Sequence, residues 1–523
     1  MYSIGIDYGS DSARAVLVDA STGRILAGST MNYPRWAGRR WCDPSRNVLR
    51  QNALDYLEVL GKILSDVVAA CPDPSAIKAI GVDATGSTPC FTDSKGRPLS
   101  LYNEFKDDPD AMFILWKDHS AMEEAAEIAA AAGPAGYLSE TGGGYSPECT
   151  WAKALHVLRT NPAVAKAAEG LIEECDYITN VLTGCDDFSE MKISHCAPVA
   201  KQMYKSEWGG FPPKEFLRSI DPLLEKAVSL TPSKNYNSYV KAGVLCPEWA
   251  ARLGLSQEVT VGVGNIDAHS GAIGAGIEPG KAVLNIGTSA CYMALSKREE
   301  PIEGVFGQAE GSIVEGWYGL EAGLSAFGDV YAWLKNLLGW GREPDPDLLR
   351  KLGDAAAALP LREDAPIATD NFNGRRSPRP SNSLTAGIAG LSLGVEAPEI
   401  YRALVESTAF ASKAAIDLYL NAGVEIEKMV AIGGITQKSP FVMQTLADVV
   451  GRPIEVSDCK DSCALGAAIN AAVAAGLYAD VFEAERAMAP GTLAVYTPDP
   501  SRAEFYARRY SKYLALADFC ESL

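Results

Sequence analysis

The stretch IGIDYGSDSARAVLVD, residues 4–19, contains two short apolar runs separated by a turn of glycine, serine and aspartate. Apolar runs of this length with turn-forming residues between them predict a β-hairpin. A second stretch of the same form, KAVLNIGTSACYMAL, occupies residues 281–295. The recurrence of a glycine–hydroxyl turn between two apolar strands favours a duplicated unit, with one large α/β sheet carrying insertions as the alternative.

Strand and helix patterns follow each hairpin. After the first, apolar spacing predicts a helix over residues 55–70 and a strand over 76–83. After the second, it predicts strands at 311–314, 316–320 and 427–432 and helices at 400–421 and 463–475. Both copies therefore read as α/β units.

The length of 523 residues is more than one core usually organises, so two or more domains are expected. We place them at residues 1–277 and 278–523, on either side of a cleft. Residues 107–240 mix short helical patterns with glycine- and proline-rich loops. Such insertion regions often carry substrate specificity.

The composition is acidic, with 66 Asp and Glu against 47 Lys and Arg and a net charge of −19. This balance argues against nucleic acid or an anionic membrane as a partner. The 12 cysteines are scattered without CxxC spacing, which is typical of a reduced cytosolic enzyme. Because the first residues, MYSIGIDYGS, do not resemble a signal peptide, we expect a cytoplasmic protein.

Common nucleotide fingerprints are missing from the sequence. It contains no GxxxxGK[ST] motif, and VGVGNIDAHSG has aspartate where a dinucleotide site needs its third glycine. The turns Gly9-Ser10 and Gly287-Thr288-Ser289 remain. Tight turns lined with N–H and hydroxyl groups can hold phosphate oxygens, so two such turns could grip a polyphosphate.

Two aspartates admit a functional and a structural interpretation. Asp7 ends the first strand beside a phosphate-type turn, where it could hold Mg²⁺ or bond its own turn, and the residues favour neither. Asp267 precedes a run of small residues, and from the residues alone a helix N-cap is favoured over a general base. His269 has no partner at metal-ligand spacing, so a structural role is expected.

The run Trp116-Lys117-Asp118-His119 combines an aromatic face with charged hydrogen-bonding groups, as sugar sites do. A helix start with a half-buried tryptophan is the structural alternative. Lys201 and Glu321 are single charges in apolar or glycine-rich surroundings. On composition alone, each is expected to be a surface or paired charge.

Over essentially the whole chain, the sequence resembles the FGGY carbohydrate kinases, and among them those that phosphorylate L-ribulose. The most specific shared stretches are FILWKDHSA at 113–121 and GLEAGLSAFGD at 319–329. Others are GVDATGSTP, SEWGGFPP, LCPEWAARLGL, IDAHSGAIGAG, FNGRRSP and GGITQKSPFVMQTLADV.

The resemblance implies an actin-like (ribonuclease H-like) α/β fold of two duplicated domains, with ATP and Mg²⁺ as cofactors. It places Asp267 as the catalytic base and Asp7 as the carboxylate associated with Mg²⁺ through water. The residues it places at ATP are Gly9, Ser10, Ser12, Arg14, Gly287, Thr288, Ser289, Gly433, Gly434 and Lys438. Those it places at the sugar are Gly86, Trp116, Asp118, Lys201 and Glu321.

The implied reaction converts L-ribulose to L-ribulose 5-phosphate in L-arabinose catabolism, with D-ribulose or xylulose as alternative substrates. Asp11 stands where many family members have threonine, and the segment 340–370 matches poorly, so no site is expected there. A non-enzymatic actin-like ATPase is an alternative to a sugar kinase and belongs to a different functional class. It would need neither Asp267 nor the sugar-binding cluster. A homodimer is compatible with the sequence.

Overall fold

A computed structural model describes residues 1–232, 234–342, 345–381 and 383–523. The chain divides into two compact units. The first comprises residues 1–276, 309–319 and 461–490, and the second comprises 277–308, 320–460 and 491–523. The expected division into 1–277 and 278–523 differs from this in two later segments that belong to the first unit.

The first unit is built on a seven-stranded sheet. Its strands are β1 (Tyr2–Tyr8), β2 (Ser12–Asp19), β3 (Ile25–Asn32), β4 (Ile77–Ala84), β5 (Lys241–Val244), β6 (Thr260–Gly262) and β7 (Asn265–Ile266). The order is β5-β6-β4-β1-β2-β3, and β7 also pairs with β4. β1 is antiparallel to β2 and parallel to β4, so the expected hairpin is present at the centre of the sheet.

The second unit contains a sheet with the same central arrangement. The strands are β8 (Gly280–Ile286), β9 (Ala290–Ser296), β10 (Gly307–Glu310), β11 (Tyr318–Leu324), β12 (Ile426–Ile432), β13 (Ile454–Ser457) and β14 (Thr492–Tyr496). β8 is antiparallel to β9 and parallel to β12, and β13 and β14 follow outward. The duplicated α/β unit expected from the two hairpins is therefore confirmed.

The helices lie around these sheets and in the insertion. They are α1 (Pro34–Ala37), α2 (Ala53–Ala69), α3 (Met122–Ala132), α4 (Thr150–Thr160), α5 (Pro162–Ala167), α6 (Glu174–Thr183), α7 (Cys196–Lys201), α8 (Lys214–Ile220), α9 (Pro222–Ser229), α10 (Pro247–Leu253), α11 (Asp267–Gly274), α12 (Gly328–Leu338), α13 (Leu348–Ala358), α14 (Ala397–Asn421), α15 (Gly434–Lys438), α16 (Pro440–Val450), α17 (Ser462–Ala474), α18 (Val481–Met488) and α19 (Ala503–Glu521). Short strands outside the two large sheets are Cys42–Asp43, Val48–Gln51, Pro89–Thr92, Phe113–Ile114, Gly170–Glu173, Ile193–Ser194, Asn235–Tyr236, Ile367–Ala368 and Ile388–Ala389.

Local sequence explains most of these boundaries. Asn52 caps α2 by accepting a hydrogen bond from the backbone N–H of Leu54, and α2 ends within one residue of the expected position. The expected strand at 311–314 is wrong: Gly311 and Gly316 both have positive φ and turn the chain there. The neighbouring strands are instead β10 and β11.

Helix α17 packs directly on the central strands of the first sheet. A Cβ on Gly5 would lie 1.7 Å from the carbonyl oxygen of Ala464, and one on Gly81 would lie 2.1 Å from that of Ala467. Only glycine fits where the backbones approach this closely. This packing, which local sequence patterns do not reveal, explains why residues 461–490 belong to the first unit.

Within the part of the chain that the structure describes, the helices are too short or too polar for any of them to cross a membrane.

Candidate active site

Three aspartates converge at the carboxyl edge of the first sheet. Asp7 on β1 lies opposite Asp83 on the parallel strand β4. Asn265 on β7 also pairs with Asp83, and α11 begins two residues later at Asp267. Because parallel strands end at the same edge, the sheet brings together side chains from three distant parts of the chain.

Asp267 is the first residue of α11, and Ile266 occupies the N-cap position. Asp267 is therefore not the N-cap of α11, although the residues alone favoured that role. The Asp267 Oδ1 atom accepts a hydrogen bond of 2.6 Å from the backbone N–H of Ala268. The helix dipole favours negative charge at this terminus, so it stabilises the ionised carboxylate.

Arg14 offsets part of the negative charge at this edge. Its Nε atom is 3.2 Å from Asp7 Oδ2, and its Nη1 atom donates to Asp461 Oδ1 at 3.0 Å. Burial raises the pKa of Asp7, and the positive charge of Arg14 opposes that rise. Arg14 therefore stabilises Asp7 in its ionised form.

Asp83 is fully buried, and neither of its carboxylate oxygens has a hydrogen-bond donor among the described residues. Burial, followed by the negative charges of Asp7 and Asp267, raises its pKa well above the ordinary range. A buried carboxylate without donors is costly unless a cation pairs with it. Asp7 and Asp83 together thus fit a hard divalent cation, which takes oxygen ligands.

The first phosphate-type turn is closed by a hydrogen bond from Gly9 N to Ser12 O at 3.0 Å. The indole N–H of Trp116 donates to Ser10 Oγ at 2.8 Å, and the Gln51 amide donates to the carbonyl of Ser10 at 2.7 Å. A residue expected at the sugar is thereby tied to a residue expected at the phosphates.

The Asp11 side chain in this turn is held by a hydrogen bond from a tryptophan. Its Oδ1 atom accepts a hydrogen bond of 2.6 Å from the indole N–H of Trp36. The departure from threonine at this position is therefore matched by a specific partner.

Gly86 lies beside the start of α11. A Cβ at this position would come within 2.6 Å of the Ile266 side chain, directly before Asp267. The peptide between Gly86 and Ser87 is cis. The backbone of this segment therefore packs closely against the residue that precedes the candidate base.

Asp118 is fully buried, and described groups already occupy both of its carboxylate oxygens. Oδ2 accepts from the backbone N–H of Leu49 and from the Arg50 guanidinium, and Oδ1 accepts from Ser120. This geometry favours a role in fixing the loop over direct contact with a sugar.

Lys201 ends helix α7, and only 8% of its surface is exposed. Its carbonyl accepts a hydrogen bond of 3.1 Å from the Tyr145 hydroxyl. Cys196, at the other end of α7, has its Sγ atom 2.6 Å from Nδ1 of His269. His269 is fully buried in α11, which agrees with the structural role expected for it.

The second phosphate-type turn is held by the start of α12. Gly287 N donates to Ser289 O at 2.9 Å. The carbonyl of Thr288 accepts from Phe327 N at 2.7 Å, and that of Gly287 accepts from Gly328 N at 3.1 Å. These backbone hydrogen bonds fix the turn against the start of α12.

Gly433 approaches this second turn closely. Its φ is +104°, and a Cβ there would lie 2.3 Å from the carbonyl oxygen of Ile286. Gly434 then begins α15, which Lys438 ends. The structure thus brings Gly433 next to the residue that precedes the turn at 287–289, and Gly434 follows directly in the chain.

Lys438 lines a cavity of about 510 Å³ within the second unit. Leu349 and Gly353 of α13 and Phe441 of α16 also line it. The sequence predicted no site in the segment containing α13.

Glu321, on β11 of the same unit, has its Oε2 atom 3.9 Å from the Sγ atom of Cys291.

Sequence reasoning missed Asp83, Glu173 and Lys153. The run VDATG could have indicated Asp83, because this aspartate is the penultimate residue of β4, as Asp7 is of β1. Glu173 accepts hydrogen bonds from Ser87 Oγ at 2.7 Å and Thr88 N at 2.8 Å. Lys153 contacts the same segment from another side.

Two family descriptions match this chain. Residues 2–274 match the N-terminal domain of the FGGY family of carbohydrate kinases, and residues 282–475 match its C-terminal domain.

Curated relatives match over almost the full length. A ribulokinase of Vibrio parahaemolyticus is 39% identical, with 99% of this chain and 96% of the relative covered. A ribulokinase of Halalkalibacterium halodurans is 35% identical, with 99% and 94% covered.

Solved structures share the architecture. A xylulose kinase from Rhodospirillum rubrum has a TM-score of 0.81 at 22% identity, with 100% of this chain and 99% of that chain covered. A ligand-bound xylulose kinase from Lactobacillus acidophilus has a TM-score of 0.82 at 20% identity, with 99% and 98% covered. These likenesses confirm the expected actin-like fold and, at such identities, concern the fold alone.

Proposed function

Because the chain belongs to the FGGY family of carbohydrate kinases, we propose that it transfers the γ-phosphoryl group of ATP to the terminal hydroxyl of a 2-ketopentose. L-Ribulose is the preferred acceptor in this proposal, and L-ribulose 5-phosphate is the product. The ribulokinase names of relatives that are 39% and 35% identical support this choice of sugar. The observation that carries the proposal is the position of Asp267 at the start of α11, beside Asp7 and Asp83.

Asp267 acts as the general base in this proposal. The sugar hydroxyl attacks the γ-phosphorus, its proton passes to the Asp267 carboxylate, and the bond to the departing ADP breaks. General-base assistance typically contributes 10²–10⁴ in rate. The α11 dipole favours negative charge at the position of this carboxylate.

Asp7 and Asp83 are the proposed protein ligands of Mg²⁺, directly or through water. Mg²⁺ is usually held in phosphoryl-transfer sites by one or two carboxylates together with waters and substrate phosphates. When bound, it would neutralise charge on the phosphate oxygens. Among the described residues, the two buried carboxylate oxygens of Asp83 have no hydrogen-bond donor, which supports this assignment.

The two turns are proposed to hold the phosphates of ATP. The first would contribute Gly9, Ser10, Ser12 and Arg14, and the second would contribute Gly287, Thr288 and Ser289. Gly433, Gly434 and Lys438 would contact the adenosine end. Backbone N–H groups and hydroxyls of this kind suit phosphate without requiring a basic surface.

The proposed sugar contacts are Gly86, Trp116, Lys201 and Glu321. The hydrogen bond from Trp116 to Ser10 supports a sugar site adjoining the first phosphate turn. Asp118 fixes the loop through its ion pair with Arg50.

The decisive experiment is a coupled ADP-release assay across the four 2-ketopentoses, with glycerol as an unrelated acceptor. We expect the highest kcat/KM with L-ribulose and none with glycerol. Preference for D-ribulose or a xylulose would move the substrate assignment to another ketopentose kinase. ATP turnover that no sugar stimulates would contradict the proposed function.

A further inference from the structure

Lys153 is a buried cation in helix α4, with 1% of its surface exposed. Its ammonium donates to three backbone carbonyls: Ser87 at 2.7 Å, Leu115 at 2.9 Å and Trp116 at 3.2 Å. An ammonium group has three N–H donors, so these contacts use all of them.

The three carbonyls belong to two segments that are distant in sequence. Ser87 follows Gly86, and Leu115 precedes Trp116, so each segment carries a residue proposed to contact the sugar. Trp116 in turn donates to Ser10 in the first phosphate turn. One ammonium group therefore fixes the backbone of both segments relative to each other.

A carboxylate completes this arrangement around Ser87. Glu173 Oε1 accepts from the Ser87 hydroxyl at 2.7 Å and from the Thr150 hydroxyl at 2.8 Å. Lys153 holds the carbonyl of Ser87 while Glu173 holds its side chain. The segment after Gly86 is thus restrained from two sides by α4 and by the strand ending at Glu173.

The charge of Lys153 is sensitive to pH near neutrality. Burial lowers its pKa to about 8, opposed by the negative charges of Asp118, Glu173 and Glu148 and by the Cys149 thiol. These are the titratable groups that face it from the neighbouring elements. A neutral amine has two N–H donors, so deprotonation removes one of the three bonds to the sugar-site backbone.

We propose that Lys153 is a positioning residue that sets the separation between the Ser87 and Trp116 segments and thereby the geometry of the sugar subsite. It acts through the backbone and does not touch the sugar. This role rests on the proposed function, because it assumes that Gly86 and Trp116 contact the acceptor.

The test compares the wild-type enzyme with Lys153→Met and with the control Lys166→Met, which removes an exposed lysine from α5. We expect Lys153→Met to raise the KM for L-ribulose at least tenfold and to leave the KM for ATP within twofold. Lys166→Met should change neither constant. An unchanged sugar KM in a folded Lys153→Met variant, or equal rises in both KM values, would overturn the proposal.

The dependence of the sugar KM on pH in the wild-type enzyme provides a second test. It tests the positioning role even if Lys153→Met does not fold. We expect the sugar KM to rise threefold to tenfold between pH 7 and 9.5, with a midpoint near 8, while the ATP KM stays flat. A flat sugar KM contradicts the proposal. If the wild-type enzyme phosphorylates no ketopentose, both the proposed function and the positioning role are contradicted. If it is active but its sugar KM does not depend on Lys153, only the positioning role is contradicted.

Discussion

The two hairpins have the same topology but different chemistry. In the first, Asp7 pairs across the hairpin with Arg14 and across the parallel ladder with Asp83. In the second, Asn285 stands in the corresponding place and pairs with Cys291 and Ile432. The duplicated fold thus supplies a glycine–hydroxyl turn twice, whereas the charged groups that we propose for catalysis lie at the edge of the first sheet.

This asymmetry indicates which functions the two units of a duplicated fold can share and which need only one of them. Backbone turns can hold phosphates in either unit because they need only local geometry. Metal binding and proton transfer need carboxylates at defined positions, so a single edge suffices. Changes at the first edge should therefore reduce catalysis, while changes at the second turn should affect folding and nucleotide binding.

The largest effect is expected at Asp267. Replacing it with alanine should lower kcat by about 10²–10⁴, because the attacking hydroxyl loses its base, while the thermal unfolding curve stays close to wild type. Steady-state kinetics with L-ribulose and ATP provide the measurement. The matched control is Glu215→Ala, which removes an exposed acid from the first turn of α8. Near-normal turnover in Asp267→Ala would contradict the proposal that Asp267 is the general base.

A smaller effect is expected at Asp83. The change Asp83→Asn should weaken Mn²⁺ binding, measured by electron paramagnetic resonance, by roughly 10- to 100-fold, because one oxygen ligand loses its charge. Asp176→Asn is the control, since Asp176 is also a buried acid of the first unit but accepts a hydrogen bond from Ser194 N at 2.7 Å. Equal Mn²⁺ affinities in the two variants would show that Asp83 does not serve the metal.

At the second turn, Gly433→Ala tests backbone geometry in the absence of charge. The positive φ and the approach to Ile286 should make this change destabilising by about 2–3 kcal/mol. It should also raise the KM for ATP. Gly434→Ala is the matched control, because a Cβ there meets no atom within 4 Å. Chemical denaturation gives the free energy of unfolding, and equal stabilities of the two variants would contradict the expectation.

Local features of the fold could be predicted from the sequence. The glycine–hydroxyl turns, helix α2 and strand β4 follow from short patterns, and each lies within two residues of its expected position. The strand expected at 311–314 failed because two positive-φ glycines outweighed its apolar content. The placement of Asp7 and Asp267 at one site followed from family resemblance, and the residues alone left Asp267 as a helix cap.

Long-range contacts could not be predicted. Lys153 reaches a carbonyl 66 residues earlier, and Arg14 pairs with Asp461 across 447 residues. No local periodicity encodes such pairings, because they depend on how strands and helices pack. Asp83 is intermediate, since its importance follows once the parallel register with Asp7 is known.

The smallest effect is expected at Asp370, a buried acid of the second unit that accepts a hydrogen bond, whereas Asp83 accepts none from the residues that the structure describes. The Tyr513 hydroxyl donates to it at 2.8 Å, and burial raises its pKa to about 6. Because the folded state binds this proton more tightly than the unfolded state, stability should fall as pH rises from about 4 through 6. Asp370→Asn should remove that loss and raise the free energy of unfolding at pH 8 by about 1–2 kcal/mol. Urea denaturation between pH 4 and 8 gives the free energy of unfolding, and the exposed Asp458→Asn is the control. If the stability of Asp370→Asn depends on pH as that of the wild type does, another group titrates in this window.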